Sequence, residues 1–540
     1  MSAPSPLDIP EILNNILSYC NNSAKYRSLL VCQRWSNVGL DLLWYKITDL
    51  RPLLELFGDL KKKNGLYKYN KTPSSASWQR FERVYRNRTQ IIAIDFPDTN
   101  YRSALSTLSK MRGEDPFLPK LHTLQWYGLS NLGLVEPSVM FMHDGIREFG
   151  IDRDDDDVLD QDAFTSYCAA IGTRMPFLSD LRLGVSPLQI YQEPIVALMK
   201  QLPNLEDLDI PPFPDPTEIF LGLAEVPRLK RFRISSVFIY PPSSMLKLSN
   251  SRQCVDLETL QKMDMYCTYP FGTKFLQNIS SSEIKYLTIT SHDPETSGNV
   301  CIIISLIATK FSFLTCLDIG YLSLIRREYS ILNNLVSQPL AKDMVQIGDL
   351  LPILNNCRNI TWFRLQSPYP ADIDDNDVET IAKSWPGLTW FSLCYQPGVL
   401  LLEREKRLTL KALSHFSRHC PNMSTLQLYI DARSDHIPDV TCFEATRFAK
   451  LNKLDLGPSP INEPGPVAYT LAQLCPTETK LWLFTGDGWG SEDLDDIDPR
   501  IRSTWRTNWN AVKAVLPVML KMQGKIDSLQ QDLNTELSSR

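Results

Sequence analysis

A hexamer with apolar residues at its first, fourth and sixth positions recurs along most of this 540-residue chain. Ten clear copies place these residues at Leu121/Leu124/Trp126, Leu178/Leu181/Leu183, Leu205/Leu208/Ile210, Leu229/Phe232/Ile234, Ile284/Leu287/Ile289, Leu314/Leu317/Ile319, Ile360/Phe363/Leu365, Leu388/Phe391/Leu393, Met423/Leu426/Leu428 and Leu451/Leu454/Leu456. Four weaker copies start at Ile91, Ile146, Leu257 and Glu478. The copies recur about every 30 residues, and a period of roughly 20–50 residues indicates a repeat array rather than a fold with one central core.

Proline stands two residues before the first hexamer position in seven of these fourteen copies. The seven are Pro119, Pro176, Pro203, Pro227, Pro386, Pro421 and Pro476. Proline has no backbone donor and disfavours helix in the residue before it, so it can stop a helix just before a strand begins. Each repeat is therefore predicted to be a strand, a loop and a helix, and the chain an α/β solenoid. A leucine-rich sequence without repeats would also contain such hexamers, but not with this spacing and these prolines.

The phrases Leu202-Pro203-Asn204-Leu205 and Cys420-Pro421-Asn422-Met423 resemble the helix-to-strand junctions of leucine-rich repeats in F-box proteins. This resemblance implies a horseshoe of about 14 repeats over residues 89–490, with parallel strands on its concave face. The interval between the copies at Leu314 and Ile360 is too long for one repeat. We therefore expect an insertion at Leu324–Asp349.

Residues 7–45 do not follow the repeat and instead indicate amphipathic helices. Pro10 suits the first turn of a helix. The apolar residues that follow on one predicted helix face are Ile12, Leu13, Ile16 and Leu17. About forty residues of this composition form a marginal core alone, so such a module usually completes its packing on a partner.

This N-terminal segment resembles an F-box, whose pattern opens with Leu-x-x-Pro-Glu-Ile-Leu and returns with Leu-x-x-Val-Cys-x-x-Trp. The chain matches the opening at Leu7–Leu13 and the return at Val31, Cys32 and Trp35, and departs from it in the short polar link Asn21–Tyr26. The resemblance implies an N-terminal all-α F-box at residues 1–50 that binds the Skp-family adaptor of a cullin–RING ubiquitin ligase. The residues implied to line or support that interface are Leu7, Pro10, Ile12, Leu13, Ile16, Leu17, Leu30, Val31 and Trp35. The alternative is that these helices only cap the end of the solenoid.

Residues 51–88 are expected to form a basic linker and an entry helix. Over residues 51–90, ten Lys or Arg stand against three acidic residues, a net charge of +7. Lys61–Lys63 and Lys71–Ser75 indicate a flexible loop, and the apolar spacing of Trp78, Phe81 and Val84 predicts a helix. We interpret the basic excess as a solvated connection, with contact to a partner as the less favoured alternative.

The composition argues against several classes of protein. Lys and Arg total 56 against 62 Asp and Glu, a formal net charge of −6, which argues against a dedicated nucleic-acid binder. No apolar run approaches the roughly 18 residues of a membrane span, and Met1–Pro6 lacks the features of a signal peptide. We therefore expect a cytoplasmic or nuclear protein without a membrane partner, whose twelve cysteines are reduced and act as small buried apolar side chains.

Four segments resemble catalytic or metal-binding motifs, and each lacks a required residue. They are His415 with His419, Asp152–Asp157, Asp372–Asp377 and Gly486–Gly490. Phe416 stands where the histidine pair of a zinc protease needs glutamate, and Asp377 stands where a calcium loop needs glycine. The run at Asp152 also lacks that glycine, and no Gly-Lys-Ser/Thr follows Gly490. The sequence therefore predicts no metal, no cofactor and no catalytic residues.

A substrate surface is predicted on the concave face, because alternation along each strand turns hexamer positions three, five and seven away from the core. On two adjacent repeats these positions carry Asp207 and Asp209 beside Arg231 and Arg233, which we expect to neutralise one another. Elsewhere they form a band of Trp, Tyr and Arg, the composition of interface hot spots. The predicted substrate-binding residues are Trp362, Arg364, Trp390, Tyr429 and Trp482. The alternative is that loops or the C-terminal tail cover the tryptophans.

Residues 491–540 are expected to comprise the acidic connection Ser491–Pro499 and an amphipathic helix from about Trp505 to Leu537. Its predicted apolar stripe is Val512, Val515, Met519, Met522, Ile526, Leu529 and Leu533. We expect this helix to cap the open end of the solenoid, with packing along the solenoid as the alternative and self-association as a lesser one.

The favoured function is that of a non-catalytic substrate receptor of a Skp–cullin–F-box ubiquitin ligase, which binds an adaptor and a protein substrate. The main alternative is a leucine-rich-repeat scaffold outside any ligase. An enzyme is disfavoured because the sequence offers no nucleophile–base pair at an informative spacing.

Overall fold

The computed structural model describes residues 7–482 and 499–539, apart from 8, 64, 95–100, 130–137, 154–159, 235–253, 282, 292–294, 322–343, 368, 398–405 and 434–446. These residues fall into two units, one up to Thr259 and the other from Leu260 onward. Each unit combines a parallel sheet with helices, so the predicted α/β class is confirmed.

The first unit begins with three helices and continues as alternating strands and helices. Its helices are α1 (Pro10–Ser18), α2 (Asn22–Ser28), α3 (Gln33–Trp44), α4 (Arg51–Glu55), α5 (Ser75–Val84), α6 (Arg102–Met111), α7 (Gln161–Arg174), α8 (Gln192–Lys200) and α9 (Thr217–Gly222). Its strands are β1 (Lys46–Ile47), β2 (Leu60–Lys63), β3 (Leu66–Tyr69), β4 (Ile91–Ile94), β5 (Thr123–Leu129), β6 (Glu148–Arg153), β7 (Asp180–Gly184), β8 (Asp207–Ile210), β9 (Arg231–Ile234) and β10 (Val255–Asp256). Its parallel sheet has the order β1-β4-β5-β6-β7-β8-β9.

The second unit repeats the same strand–helix alternation. Its strands are β11 (Lys262–Tyr266), β12 (Ile279–Ser280), β13 (Tyr286–Ser291), β14 (Cys316–Tyr321), β15 (Trp362–Leu365), β16 (Trp390–Leu393), β17 (Thr425–Leu428), β18 (Lys453–Asp455) and β19 (Lys480–Trp482). Its helices are α10 (Tyr269–Gln277), α11 (Ser297–Lys310), α12 (Ile347–Asn356), α13 (Asp375–Ser384), α14 (Lys411–His419), α15 (Pro464–Leu474) and α16 (Pro499–Ser539). Its parallel sheet has the order β11-β13-β14-β15-β16-β17-β18-β19.

The hexamer explains both the sheet and the core. In the clear copies the strand starts at the third position, while the fourth and sixth residues are buried; Leu181 and Leu208, for example, are 0% exposed. The backbone ladder begins one residue before the strand, where the N–H of Ser179 donates to the carbonyl of Arg147 at 2.8 Å and that of Glu206 to Ser179 at 2.8 Å. Each repeat thus obtains hydrogen bonds and apolar contacts from its neighbours, the arrangement of leucine-rich-repeat-like arrays.

Most of the prolines stand just after a helix end, as predicted, except Pro119, which lies eight residues beyond the end of α6. α7 ends at Arg174 ahead of Pro176, α13 at Ser384 ahead of Pro386, and α14 at His419 ahead of Pro421. In each case a tight turn separates the helix from the next strand. The interpretation of these prolines as helix stops is confirmed.

Two of the weaker hexamer copies were predicted in the wrong register. The copy placed at Ile91 starts at Thr89, because Ile92 pairs with Leu124 and Ile94 with Trp126. Thr89 is a buried polar residue, which a search for apolar first positions misses. The copy placed at Leu257 starts at Leu260, and its strand buries Met263 and Met265.

The expected flexible loop at Lys61–Lys63 is wrong, since β2 pairs antiparallel with β3. The connection contains Gly65 with φ of 77°, a left-handed conformation that glycine adopts without steric cost. Asn-Gly between two short runs is a strong hairpin signal that the prediction of a loop overlooked. The entry helix predicted around Trp78 and Phe81 is α5.

The C-terminal helix is present but buries a different stripe from the predicted one. α16 packs against α15, and its buried residues are Trp505, Trp509, Val512, Leu516 and Leu520. The Trp509 indole donates to the carbonyl of Ser459 at 2.7 Å. Val515, Met522 and Leu529 are exposed, because the packed side of the helix runs from Trp509 through Val512 to Leu516 rather than through the predicted positions. The predicted insertion at Leu324–Asp349 lies largely outside the described residues, except for the start of α12 and the few residues before it.

Candidate protein-interaction surfaces

A small apolar core holds the three N-terminal helices together. Its buried members are Leu13, Leu17 and Val38, with Cys20, Trp35 and Leu42 packed against them. α3 comes so close to the end of α2 that a Cβ on Gly39 would lie 2.7 Å from Leu29 Cδ2 and 2.8 Å from Ser28 Oγ. Glycine therefore permits the close approach of these helices.

The polar link that departs from the F-box pattern is largely helical. The Asn21 side chain accepts a hydrogen bond from the N–H of Ala24 at 2.9 Å and so caps α2. The departure in sequence therefore still produces a helix between α1 and α3.

α1 leaves a second set of apolar side chains exposed beside the buried one. We call Ile9, Ile12, Ile16 and Tyr19 the α1 stripe; their exposed fractions are 37%, 39%, 45% and 88%. Their spacing of three and four residues places them along one side of the helix. In the turn between α2 and α3, Leu30 and Val31 are also exposed, at 88% and 60%. Exposed apolar residues that line one side of a helix, as in the α1 stripe, are typical of a protein interface.

The predicted adaptor-binding residues therefore divide into two groups. Leu7, Pro10, Ile12, Ile16, Leu30 and Val31 are exposed. Leu13 and Leu17 are buried and Trp35 packs on them, so these three support the helices rather than present a surface. Ile9, Tyr19 and Tyr26 are exposed apolar residues that the sequence analysis did not select, although Ile9 and Tyr19 share the spacing of Ile12 and Ile16.

The module runs into the sheet without a flexible linker. β1 follows α3 directly and pairs with β4, with Lys46 opposite Ile91. Arg88 bridges back to α3, where it donates to the carbonyl of Asn37 at 3.0 Å and forms an ion pair with Asp41. The rings of Trp44 and Tyr85 lie 4.9 Å apart. These contacts fix α3 on the first strands of the repeat.

In the second unit, a tryptophan pair lies on the sheet face opposite the buried hexamer residues. Trp362 and Trp390 are paired in register on β15 and β16, and their rings stack at 4.2 Å with an interplanar angle of 9°. Both are partly exposed. The structure thus brings together two of the predicted substrate-binding residues.

Arg364 lies two residues further along β15 and is paired with Asp318 on β14, with Nη1 3.5 Å from Oδ2. Burial raises the pKa of Asp318, and the charge of Arg364 opposes that shift. Asp455 on β18 has its pKa raised by burial too, although the N–H of Gly457 donates to it. Both carboxylates are therefore largely desolvated, and each is compensated only in part, by Arg364 or by the N–H of Gly457.

Tyr429 was predicted to be exposed, and this is wrong: the side chain is only 5% exposed. β17 ends at Leu428, so the alternation that placed Tyr429 on the open face no longer applies. The N–H of Ile430 then donates to Ser459 Oγ at 2.9 Å, which holds the chain against the next repeat. Trp482 ends β19, and its side chain lies outside the described residues.

The charges predicted to neutralise one another in the first unit do so. Arg231 lies 2.7 Å from Asp207, Arg233 lies 3.0 Å from Asp207, and Arg233 Nε lies 3.6 Å from Asp209. Opposite charges on adjacent strands are thus satisfied within the sheet.

Among the segments that resemble metal sites, Asp372–Asp377 has a structural role as a helix cap. Asp374 caps α13 by accepting from the N–H groups of Asn376 and Asp377, while Asp377 accepts from the N–H of Asp374. His419 Nε2 lies 3.9 Å from Glu379, and burial lowers the pKa of His415. Across the described ranges, no group of three or more His, Cys, Asp or Glu side chains is placed to hold a metal. Residues 154–157 and Gly486–Gly490 lie outside those ranges.

Of the eleven cysteines that the structure describes, six are buried, three are partly buried, and Cys32 and Cys254 are exposed, so the expectation of buried cysteines is only partly correct. Burial raises the pKa of Cys168 and Cys420 to about 12, so these thiols stay protonated at neutral pH. Among the described helices, none is long and apolar enough to cross a bilayer.

Comparison with known proteins gives remote structural similarity. No family model matches the chain, and no curated protein matches its sequence. Solved structures similar to it include Rad7 in a complex of Rad7 and Elc1 in yeast, with 14% identity over 83% of this chain and 97% of that chain and a TM-score of 0.39. A protein from Bacteroides fragilis has 9% identity over 61% of this chain and 86% of that chain, with a TM-score of 0.28. TLR13 in complex with ssRNA13 has 12% identity over 80% of this chain and 66% of that chain, with a TM-score of 0.30. All three TM-scores lie below 0.5.

Proposed function

We propose that this chain is a non-catalytic substrate receptor of a Skp–cullin–F-box ubiquitin ligase. In this proposal α1, α2 and α3 bind the Skp-family adaptor, and the repeats bind a protein substrate. The observation that carries the proposal is the α1 stripe together with Leu30 and Val31. It lies on a module whose sequence carries the opening and return of the F-box pattern.

The exposed fractions support a binding role. Ile12 and Ile16 are each close to half exposed, so burying them against a partner would contribute about 1 kcal/mol apiece. Leu30 is 88% exposed and would contribute about 2 kcal/mol. The residues beneath them are already packed, so the partner would meet a formed surface and little ordering would oppose binding.

The connection between the module and the repeats suits a receptor. A ligase receptor must hold its substrate at a defined position near the ubiquitin-loaded enzyme, because proximity and orientation are its contribution to the reaction. The pairing of β1 with β4 and the contacts of Arg88 with α3 supply a stiff connection between the module and the first strands of the first unit. Chemistry would reside in the partner enzyme, and this chain would need no catalytic residue of its own.

The substrate surface we propose is the face that carries Trp362 and Trp390. A stacked and partly exposed tryptophan pair offers a large rigid apolar area, and tryptophan is enriched among residues that dominate binding energy. Arg364 adds a partly exposed cationic group beside the pair. Tyr429 is not included, because it is buried.

Co-purification of the full chain with a Skp-family adaptor and its cullin tests the proposal. The informative variant is Ile16→Glu, which places a charge in the α1 stripe without removing a core side chain. The matched control is Ile302→Glu, because Ile302 is also on a helix and is 56% exposed, but lies in the second unit. We expect wild type and Ile302→Glu to retain the adaptor, and Ile16→Glu to lose at least about tenfold in affinity.

A folded wild-type chain that captures no adaptor would contradict the proposal, and the leucine-rich-repeat scaffold outside any ligase would then be the better account. Equal losses in Ile16→Glu and Ile302→Glu would also contradict it, because the α1 stripe would then have no special role. Adaptor binding without cullin would support the adaptor as the partner of the N-terminal helices, but it would refute the proposal that the chain belongs to a ligase.

A further inference from the structure

The hairpin of β2 and β3 separates its side chains into two chemically different faces. Lys61 pairs in register with Lys68, and Lys62 with Tyr67. Since side chains alternate along a strand and directly opposite residues share a face, Lys61, Lys63 and Lys68 lie on one face. Lys62, Tyr67 and Tyr69 lie on the other.

The tyrosine face is the one packed on the rest of the first unit. The ring of Tyr67 lies 5.0 Å from that of Tyr101, and the Tyr69 hydroxyl donates to the carbonyl of Leu54 at 3.0 Å. α6 also packs against β3. The face with Lys61, Lys63 and Lys68 is therefore turned outward, and all three lysines are exposed.

These outward lysines lack acidic partners. In the part of the chain that the structure describes, Lys61, Lys63 and Lys68 take part in no ion pair. Like charges directly opposite each other on paired strands are unfavourable. The hairpin tolerates this repulsion because Tyr67 and Tyr69 hold it in place from the other side. The free chain therefore presents a cationic face that no acidic side chain of the described residues neutralises.

We infer that this hairpin binds an extended acidic segment of a partner protein, added alongside β2. Both strands of this two-stranded sheet are outer strands, and because α6 packs against β3, β2 is the better edge for a further strand. Lys61 and Lys63 are two residues apart, about 6.8 Å along a strand. Carboxylates on alternate residues of an extended peptide have the same spacing, so they would match the two lysines in register.

A protein segment suits this face better than single-stranded nucleic acid. Nucleic-acid grooves combine cationic residues with aromatic rings on which the bases stack. Here Tyr67 and Tyr69 are on the opposite face and are engaged with Tyr101 and Leu54. The cationic face carries lysines without arginine, together with Leu66, and offers no stacking platform. This second binding surface does not depend on the proposed ligase role.

Fluorescence anisotropy of the full chain with a labelled peptide of alternating Glu and Thr tests the inference. The variants are Lys61→Glu and Lys62→Glu, which change the charge equally on the same strand but on opposite faces. We expect wild type to bind, Lys61→Glu to lose about fivefold or more in affinity, and Lys62→Glu to lose less than about twofold. Unchanged circular dichroism in both variants shows that the fold is kept.

A second peptide of the same composition, with its Glu residues in one block, tests the register. Weaker binding of the blocked peptide supports strand addition, and equal binding overturns it. The inference is also overturned if both variants lose affinity equally, or if poly-dT or anionic vesicles bind more tightly than the alternating peptide. If wild type binds no acidic peptide, the lysines serve only to prevent edge-to-edge association, as lysines on exposed strands often do, and the inference is wrong.

Discussion

The N-terminal module and the repeats differ in how completely their apolar side chains are buried. In the repeats, the fourth and sixth hexamer residues are buried from one copy to the next; Leu317 and Phe363 are both 0% exposed. In α1, Leu13 is 0% exposed while its neighbour Ile12 is 39% exposed and Ile16 is 45% exposed. Both regions have regularly spaced apolar residues, although the spacings differ, and only the hexamer residues of the repeats are buried almost completely.

The difference follows from what surrounds each element. A repeat inside an array receives neighbours on both sides, so its apolar residues are covered by the same chain. Three short helices have only one another and the first strands, and their small core uses one side of α1. The remaining side is left for a partner, which is why the same kind of residue stabilises the fold in one region and is available for binding in the other.

The largest effect is expected inside a repeat. Phe363 is fully buried and its ring lies 4.9 Å from that of Trp385 and 5.6 Å from that of Phe391. Phe363→Ala should lower the free energy of unfolding by about 3–5 kcal/mol, because it removes a large buried ring and leaves a cavity. Denaturant unfolding followed by tryptophan fluorescence measures this, and a loss below about 1 kcal/mol would mean that the repeat core is not packed as described.

The next largest effect is expected in α1, where substitutions on the buried side and on the exposed side should differ in their effect on stability. Leu13→Ala should destabilise the module by about 2–4 kcal/mol, whereas Ile16→Ala should change its stability by less than about 0.5 kcal/mol. Amide hydrogen exchange of residues 10–44 reports the stability of this region separately from the repeats. Similar losses in the two variants would contradict the division between the core and the α1 stripe.

A smaller effect is expected at the tryptophan pair. Trp362→Ala, Trp390→Ala and the double variant form a cycle whose coupling energy should be about 0.5–1.5 kcal/mol, the usual value for a stacked pair. In capture experiments Trp390→Ala should weaken substrate binding while adaptor binding stays intact. Parallel loss of both activities, or no effect on substrate, would refute a substrate role for this face.

The smallest effect is a pH dependence in the repeats. The N–H of Gly145 donates to His143 Nδ1 at 3.0 Å, so this nitrogen must be unprotonated, and Nε2 donates to the carbonyl of Leu118 at 3.0 Å. Burial lowers the pKa of His143 below its ordinary value of about 6.5, and the hydrogen bond to Leu118 opposes this. The unfolded chain therefore binds the proton first, and stability should fall as the pH drops below about 6.5.

His143→Gln should make stability less dependent on pH across this range. The measurement is thermal unfolding of wild type and variant at several pH values between 7.5 and 5.5. An identical slope for the two proteins would show that His143 does not contribute to the acid sensitivity.

Most of the repeat could be predicted from the sequence because burial and helix termination impose the same residue types on nearly every copy. Positions such as Leu208 must be apolar to be buried and prolines such as Pro203 stop a helix, so both leave a signal. The register failed at Thr89, where a buried polar residue replaces the expected apolar one. The hairpin was missed because its lysines suggested a solvated loop, although Asn64-Gly65 carried the turn signal.

For the binding surfaces, the sequence pattern identified candidate residues but not their exposure. Periodicity groups Ile12, Leu13, Ile16 and Leu17 on one face, and only the packing of α3 decides which of them are covered. Alternation along a strand fails for Tyr429 because β17 ends one residue earlier. Both errors arise from tertiary contacts that local patterns do not encode.

The central claim is that the apolar surface left open by α1 and by the turn between α2 and α3 is a docking site for a Skp-family adaptor. Hydrogen exchange of the full chain, with and without purified adaptor, tests it most directly. We predict slower exchange within residues 9–20 and 29–35, and little change in the strands from β4 onward. Protection confined to the repeats, or no protection with a folded chain, would contradict the claim.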